Sequence, residues 1–352
     1  MGGDFEGKAH ELIPADVRMI SGCQDAQTSA DVGNVATFSL PDPAGRAGGA
    51  CTSALLKVLY QQNGTESFSF VDVLMRMRTV LRSGSYPQIP QLSCSRKMDV
   101  QEKFTLVPES SSTPYGSKRA LLIGINYVGQ QGELRGCHND VGNIKRYIMD
   151  VHGFQEEDIV VLMDDGNHEL PTYDNIIAAF RRLVNDTESG DCAFFHYSGH
   201  GGRLPDDNGD EEDGYDETLI PVDYQSAGQI RDDLLYSDLV GRMPEGSTLT
   251  CLMDCCHSGS VLDLPYTFQA DGEQQEMGEN PKANMGRLQA MAVGFLVRKI
   301  FGTGPAAQMV MSLATSGLAM AQSGGSSGGQ KTGGANNVLL PLLEKVASVV
   351  CN

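Results

Sequence analysis

CAFFHYSGH (192–200) and TLTCLMDCC (248–256) are continuously apolar until their last few residues. A strand with one wet face alternates apolar and polar positions, whereas a strand covered on both faces reads as an unbroken apolar run. RALLIGINY (119–127) and DIVVLMDD (158–165) have the same character. Between and after them, NDVGNIKRYIMDVHG (139–153) and YDNIIAAFRRLVND (173–186) carry apolar residues at helical spacing. The alternation predicts an α/β fold, a central and mostly parallel β-sheet flanked by helices on both faces. In such sheets ligands sit beyond the carboxyl ends of the strands, where SGHGG (198–202) and CHSGS (256–260) fall.

His200 closes the first run and Cys256 the second, so two buried strands would present an imidazole and a thiol at neighbouring ends. A thiolate is the reactive form of cysteine, and a nearby imidazole either takes its proton or stabilises the anion. The pair points to a cysteine hydrolase. Gly199, Gly201 and Gly202 allow a sharp turn and close approach of the backbone. The backbone N–H of Cys256, with the Gly201 region opposite, is the candidate oxyanion hole. Successive strand side chains face opposite sides, so at most one of Cys255 and Cys256 can face His200. Zinc binding by Cys255, Cys256, His257 and His200 is disfavoured, because the paired CxxC spacing of structural zinc sites is absent. His196 lies deeper on the same strand and is expected as a core histidine.

The composition narrows the function classes. The chain has 352 residues, 40% hydrophobic, enough for one large α/β domain or two smaller ones. A net charge of −19 argues against nucleic-acid and anionic-membrane partners and favours cationic ligands, meaning metal ions or Lys/Arg-bearing peptides. Nine irregularly spaced cysteines, several inside apolar runs, fit a reducing, cytoplasmic setting. The first residues, MGGDFEGKAHELIP, lack a basic and apolar leader pattern, and no stretch is apolar for long enough to span a bilayer.

Residues 1–16 read as a polar leader, VRMIS (17–21) as a strand, 49–62 and 70–84 as helices, and PQLSCS (90–95) as a short strand. A Ser/Pro/Gly-rich linker at 108–117 separates this region from the next. Residues 264–285 read as a polar loop, and 288–301 and 338–350 have helical patterns around the flexible GGSSGGQKTGG (324–334). The acidic PDDNGDEEDGYDE (205–217) approaches a calcium loop at Asp206, Asn208 and Asp210, but Glu211 stands where an EF-hand needs glycine. Oxygen donors are also dense at Asp232, Asp233 and Asp263, so a calcium site built from separate loops is expected.

HYSGHG (196–201) and DCCHSG (254–259) together resemble the metacaspases, caspase-like cysteine peptidases that cleave after arginine or lysine. RALLIGINY, GCHNDV (136–141), YDETLIPVD (215–223), IRDDLL (230–235) and SGSVLDLPY (258–266) look like the family's large, p20-type segment. MISGCQDAQTSAD (19–31) and PQIPQLSCSRKMD (87–99) look like the small, p10-type segment, which here comes first, as in the type III metacaspases. The resemblance implies a caspase-like sandwich with a p10-like region at 17–107, a p20-like catalytic region at 118–266 and a C-terminal tail at 267–352.

It also implies roles. His200 is similar to the family's general base, Cys256 to its nucleophile and Cys255 to its accessory cysteine. Asp140, Ser198 and Asp254 match the residues lining an acidic S1 pocket, and Asp216, Asp232, Asp233 and Asp263 match the ligands of an activating Ca2+. No organic cofactor is implied. The expected partners are protein or peptide substrates with Arg or Lys at P1, and the expected state is a monomer. Two other readings stay open: a catalytically silent, calcium-responsive scaffold with an occluded site, and a hydrolase or transferase of the same clan with another P1 choice. Lys282, Arg287, Arg298 and Lys299 are candidate self-cleavage positions in the tail.

Overall fold

The computed structural model describes residues 2–22, 31–32, 48–61, 67–108, 116–205, 215–255 and 261–280. The chain begins with α1 (Gly2–Leu12) and β1 (Asp16–Ser21), followed by the two-residue strands β2 (Asp31–Val32) and β3 (Gly48–Gly49). Next come α2 (Ala50–Tyr60), α3 (Phe70–Ser83) and β4 (Gln91–Cys94). The second half runs β5 (Lys118–Gly124), α4 (Cys137–His152), β6 (Ile159–Met163), α5 (Tyr173–Asp186) and β7 (Cys192–Ser198). After β7 follow β8 (Gly201–Pro205), β9 (Tyr215–Leu219), α6 (Tyr224–Ala227), β10 (Ile230–Arg231) and α7 (Asp232–Asp238). β11 (Thr248–Asp254), β12 (Tyr266–Gln269) and β13 (Gly278–Glu279) complete the described elements.

Eight strands form one sheet in the order β13-β12-β4-β1-β11-β7-β5-β6. The five strands from β1 to β6 are parallel, and β4, β12 and β13 extend that sheet antiparallel beyond β1. A separate small sheet, β10-β9-β8, is antiparallel. The unbroken apolar runs have the predicted cause. In β7, Cys192 and Phe194 enter one core with α2, α3 and α4, while Ala193, Phe195 and Tyr197 enter a second core with α5 and α7. Phe180 of α5 meets Phe195 edge-on at 5.3 Å between ring centroids. The helix ends follow local chemistry: Ser69 and Asp72 form a capping box at α3, Thr172 caps α5, and Gly153 ends α4 in the left-handed conformation.

Two sequence expectations change. Residues 2–12, read as part of a polar leader, form a helix held by distant partners: Phe5 packs edge-on against Tyr266, and the Tyr236 hydroxyl donates to the Leu12 carbonyl at 2.8 Å. Residues 264–285, read as a loop, contain β12 and β13, and β12 exists because β4 offers it an unpaired edge. The helical patterns at 288–301 and 338–350 lie outside the described residues. Among the described residues no helix is long and apolar enough to cross a membrane.

Candidate active site

β7 and β11 are parallel neighbours in a register that pairs Cys192 with Thr248 and Ser198 with Asp254. The ladder continues one step further, with the Gly199 N–H donating to the Asp254 carbonyl at 3.4 Å. His200 follows directly, half-buried, at the carboxyl end of the sheet. Cys256, two residues after Asp254 in sequence, lies outside the described residues, as do 257–260. Cys255 is 1% exposed and belongs to the core shared with Tyr197 and Cys251.

The Nε2 of His200 lies 2.7 Å from the Gly132 carbonyl oxygen. A carbonyl can only accept, so Nε2 carries the hydrogen in the neutral ring and Nδ1 keeps the lone pair. The loop that supplies Gly132 is itself braced. Asp164 accepts the Asn126 N–H at 2.8 Å, the Val128 N–H at 3.1 Å and His138 Nε2 at 2.6 Å. Burial alone would raise the Asp164 pKa, but His138 and the two amides outweigh it and hold the carboxyl below its ordinary value. His196 is placed as expected. It is fully buried, its Nδ1 bonds the Leu252 carbonyl at 3.1 Å, and burial pushes its pKa down to about 4, so it stays neutral.

Asp140, Ser198 and Asp254 come together at the carboxyl ends of β7 and β11, where Ser198 precedes His200 by two residues, and each is no more than 5% exposed. Asp140 enters from the first turn of α4, Ser198 ends β7 and Asp254 ends β11. Ser198 Oγ donates to Asp140 Oδ2 at 2.7 Å. The amino end of α2 closes the group: the Gly49 N–H bonds both Asp140 oxygens at 2.9 and 2.8 Å, and the Thr52 N–H bonds Asp254 at 2.8 Å. These amides carry the partial positive charge of a helix amino terminus, which compensates part of two buried carboxylates. Gly49 has to be glycine here, since a Cβ would collide with the Asp254 carboxylate and lie 2.8 Å from Asp140 Oδ2.

Gly201 opens β8, beside the turn that carries His200. The four candidate cation ligands lie near or beyond that small sheet. Asp216, Asp232 and Asp263 are each 1% exposed, and Asp233 is half-buried. Carboxylate oxygens suit a hard divalent ion, and burying three of them is costly without positive charge nearby. Their arrangement does not enclose such an ion. Among the described residues no three His, Cys, Asp or Glu side chains cluster as a metal site, Arg231 is paired with Asp216, and Asp232 accepts the Glu217 N–H at 3.1 Å and the Asp233 N–H at 2.8 Å.

Sequence reading missed Gly49, Gly132, Tyr127 and Tyr197 as parts of the site. Tyr127 had a signal in RALLIGINY, where an aromatic follows a buried strand at its functional end, but nothing local links it to His200. Gly49 lies 91 residues from Asp140, and only the packing of α2 joins them.

Residues 118–265 match the family model described as metacaspase, peptidase C14 domain, and residues 4–101 match the caspase domain. The chain is 56% identical over 277 residues to Metacaspase III c of Phaeodactylum tricornutum (strain CCAP 1055/1), covering 78% of this chain and 81% of that protein. It is 50% identical over 167 residues to Metacaspase-1 of Mycosarcoma maydis, covering 47% of this chain and 41% of that one. Metacaspase-1A of Aspergillus terreus (strain NIH 2624 / FGSC A1156) is 44% identical over 203 residues, 53% of this chain and 50% of its own length. Family models on both segments of one sheet, together with a relative matched over most of both lengths, make this chain a member of the metacaspase family of caspase-like cysteine peptidases.

Proposed function

We propose that this chain is a cysteine endopeptidase that hydrolyses peptide bonds after Arg or Lys, with Cys256 as nucleophile and His200 as base. The supporting observation is the buried Asp140–Ser198–Asp254 group next to His200 at the carboxyl end of β7 and β11. A guanidinium or ammonium is bound most strongly where carboxylates are shielded from water. The α2 amides already on these carboxylates hold them in place and share them with the incoming cation.

Nδ1 of His200 takes the Cys256 thiol proton, and the thiolate attacks the scissile carbonyl carbon. The tetrahedral oxyanion accepts hydrogen bonds from the backbone at Cys256 and the Gly201 region. The imidazolium then gives its proton to the departing amine as the C–N bond breaks. Water, deprotonated by Nδ1, attacks the thioester, and the carboxylic product leaves with the thiol restored. The Gly132 carbonyl keeps Nε2 as the fixed donor, so Nδ1 does the proton transfer throughout.

Calcium is the proposed activating ion, with Asp216, Asp232, Asp233 and Asp263 as its ligands. The carboxylate oxygens of the donor set support it, and because these side chains do not enclose an ion as they stand, with Arg231 on Asp216, binding would have to draw them together. The order of segments, with β1 and β4 ahead of β5 to β11, supports a type III arrangement. The rival reading is a silent scaffold whose site stays occluded.

The test is hydrolysis of a fluorogenic Arg-P1 peptide, beside an Asp-P1 control, by wild type, Cys256→Ala and Asp254→Asn, with calcium or with chelator. Arg-P1 turnover should require calcium, vanish in Cys256→Ala and show a KM raised about tenfold or more in Asp254→Asn, the loss expected of a buried ion pair. Absence of turnover by a folded, calcium-loaded wild type would overturn the peptidase reading in favour of the scaffold.

A further inference from the structure

We infer that Tyr127 and Tyr197 are positioning residues that clamp the main-chain N–H and C=O of His200, with the Tyr127 ring against its imidazole; the inference rests on His200 being the base. Both tyrosines are fully buried, at 1% and 0% exposure, and both hydroxyls reach the turn on which His200 sits. Tyr127 Oη accepts the His200 N–H at 3.0 Å and donates its hydrogen to the Ile220 carbonyl at 2.7 Å. Tyr197 Oη donates to the His200 carbonyl at 2.8 Å and accepts the Ile220 N–H at 3.3 Å. Each phenol has one hydrogen, and this assignment uses both without conflict. The two oxygens are 3.4 Å apart, so the N–H and C=O of His200 are held from one compact pair of hydroxyls.

Three further features agree. Tyr127 has φ of +53°, a left-handed conformation that is unusual for a bulky aromatic and persists only where its surroundings enforce it. Its ring lies against the His200 imidazole, 4.7 Å between centroids and tilted by 33°. An aromatic face at that range favours the imidazolium formed when Nδ1 takes the thiol proton. Gly199 completes the clamp, because a Cβ there would stand 2.9 Å from Tyr197 Oη and 3.2 Å from Tyr127 Oη. The glycine before His200 therefore leaves room for the phenols. Burial raises both phenol pKa values, so the hydroxyls remain donors across the working pH range.

The clamp and the Gly132 carbonyl act on opposite parts of the same residue. Gly132 fixes the tautomer through Nε2, both hydroxyls hold the main chain, and the Tyr127 ring lies against the imidazole. The ring is then held in one orientation, with Nδ1 left as the nitrogen that takes the proton. A base held in this way loses little orientational freedom on reaching the transition state.

The test uses the full chain as wild type, Tyr127→Phe, Tyr197→Phe and Tyr127→Leu, measuring kcat, KM, thermal unfolding and 15N-histidine NMR. Tyr127→Phe keeps the ring and should lower kcat about tenfold to a hundredfold, the range expected for a loosened base. Its KM should stay near the wild-type value, and the Nε2–H signature of His200 should broaden. Tyr127→Leu should also displace the acid limb of the pH–rate profile, which a merely structural loss would leave in place. Tyr127→Phe and Tyr197→Phe proteins that fold with wild-type kcat and a wild-type histidine signature would overturn the inference. If wild type shows no turnover while Tyr127→Phe still alters that signature, the clamp stands and the peptidase reading falls.

Discussion

At the scale of single residues, the two histidines of HYSGH divide into opposite roles by environment. His200 stands at the sheet end with one nitrogen fixed by Gly132, whereas His196 is sealed in the core against Leu252. The His196 pKa is depressed from 6.5 to about 4, so the unfolded chain binds a proton that the folded chain refuses. Stability from this residue is therefore full above pH 6.5 and is lost as pH falls toward 4, by about 3 kcal/mol in all. Thermal unfolding followed from pH 7 to pH 4 should show a shallower acid decline in His196→Gln than in wild type. Equal slopes would mean that His196 is protonated in the folded state.

At the scale of elements, the amino end of α2 joins the two segments at the buried Asp140–Ser198–Asp254 group. Its amides reach Asp140 on α4 and Asp254 on β11, and Gly49 permits the approach. Gly49→Ala should push α2 away from the carboxylates, destabilise the fold by about 1–3 kcal/mol and raise KM for an Arg-P1 peptide more than it lowers kcat. Denaturant titration and steady-state kinetics together check it, and an unchanged KM in a folded variant would count against α2 as the pocket wall. Neither α2 nor α4 announces this meeting. Their apolar faces are readable from spacing, but the helix-end amides that touch another element have no sequence pattern of their own.

At the scale of the whole molecule, β1 and β4 lie side by side between β11 and β12, so the two strands from before residue 108 are flanked on both sides by strands from after it. β1 pairs with β11 over six residues, from Asp16 with Thr248 to Ser21 with Met253. This interleaving predicts that the chain needs no cut between its two regions to complete the sheet. A version carrying an engineered protease site within the 108–117 linker should be as active before the cut as after it, and its two pieces should elute together. Activity that appears only after cleavage would show that the uncut connection restrains the site.

The sequence by itself determined the two-sided parallel sheet and the family, because an unbroken apolar run, a helical period and a motif such as HYSGHG are local patterns that burial and chemistry impose directly. It also named Asp140, Ser198 and Asp254 together, through the family resemblance. Tertiary structure alone decided that α1 packs on Tyr266, that β12 adds to β4, that the α2 amides meet Asp140 and Asp254 and that two phenols and a carbonyl hold His200. Each of these depends on hydrogen-bond donors, acceptors or ring faces brought together from far apart in the chain, and such pairings follow from register and packing, which no local window of residues contains.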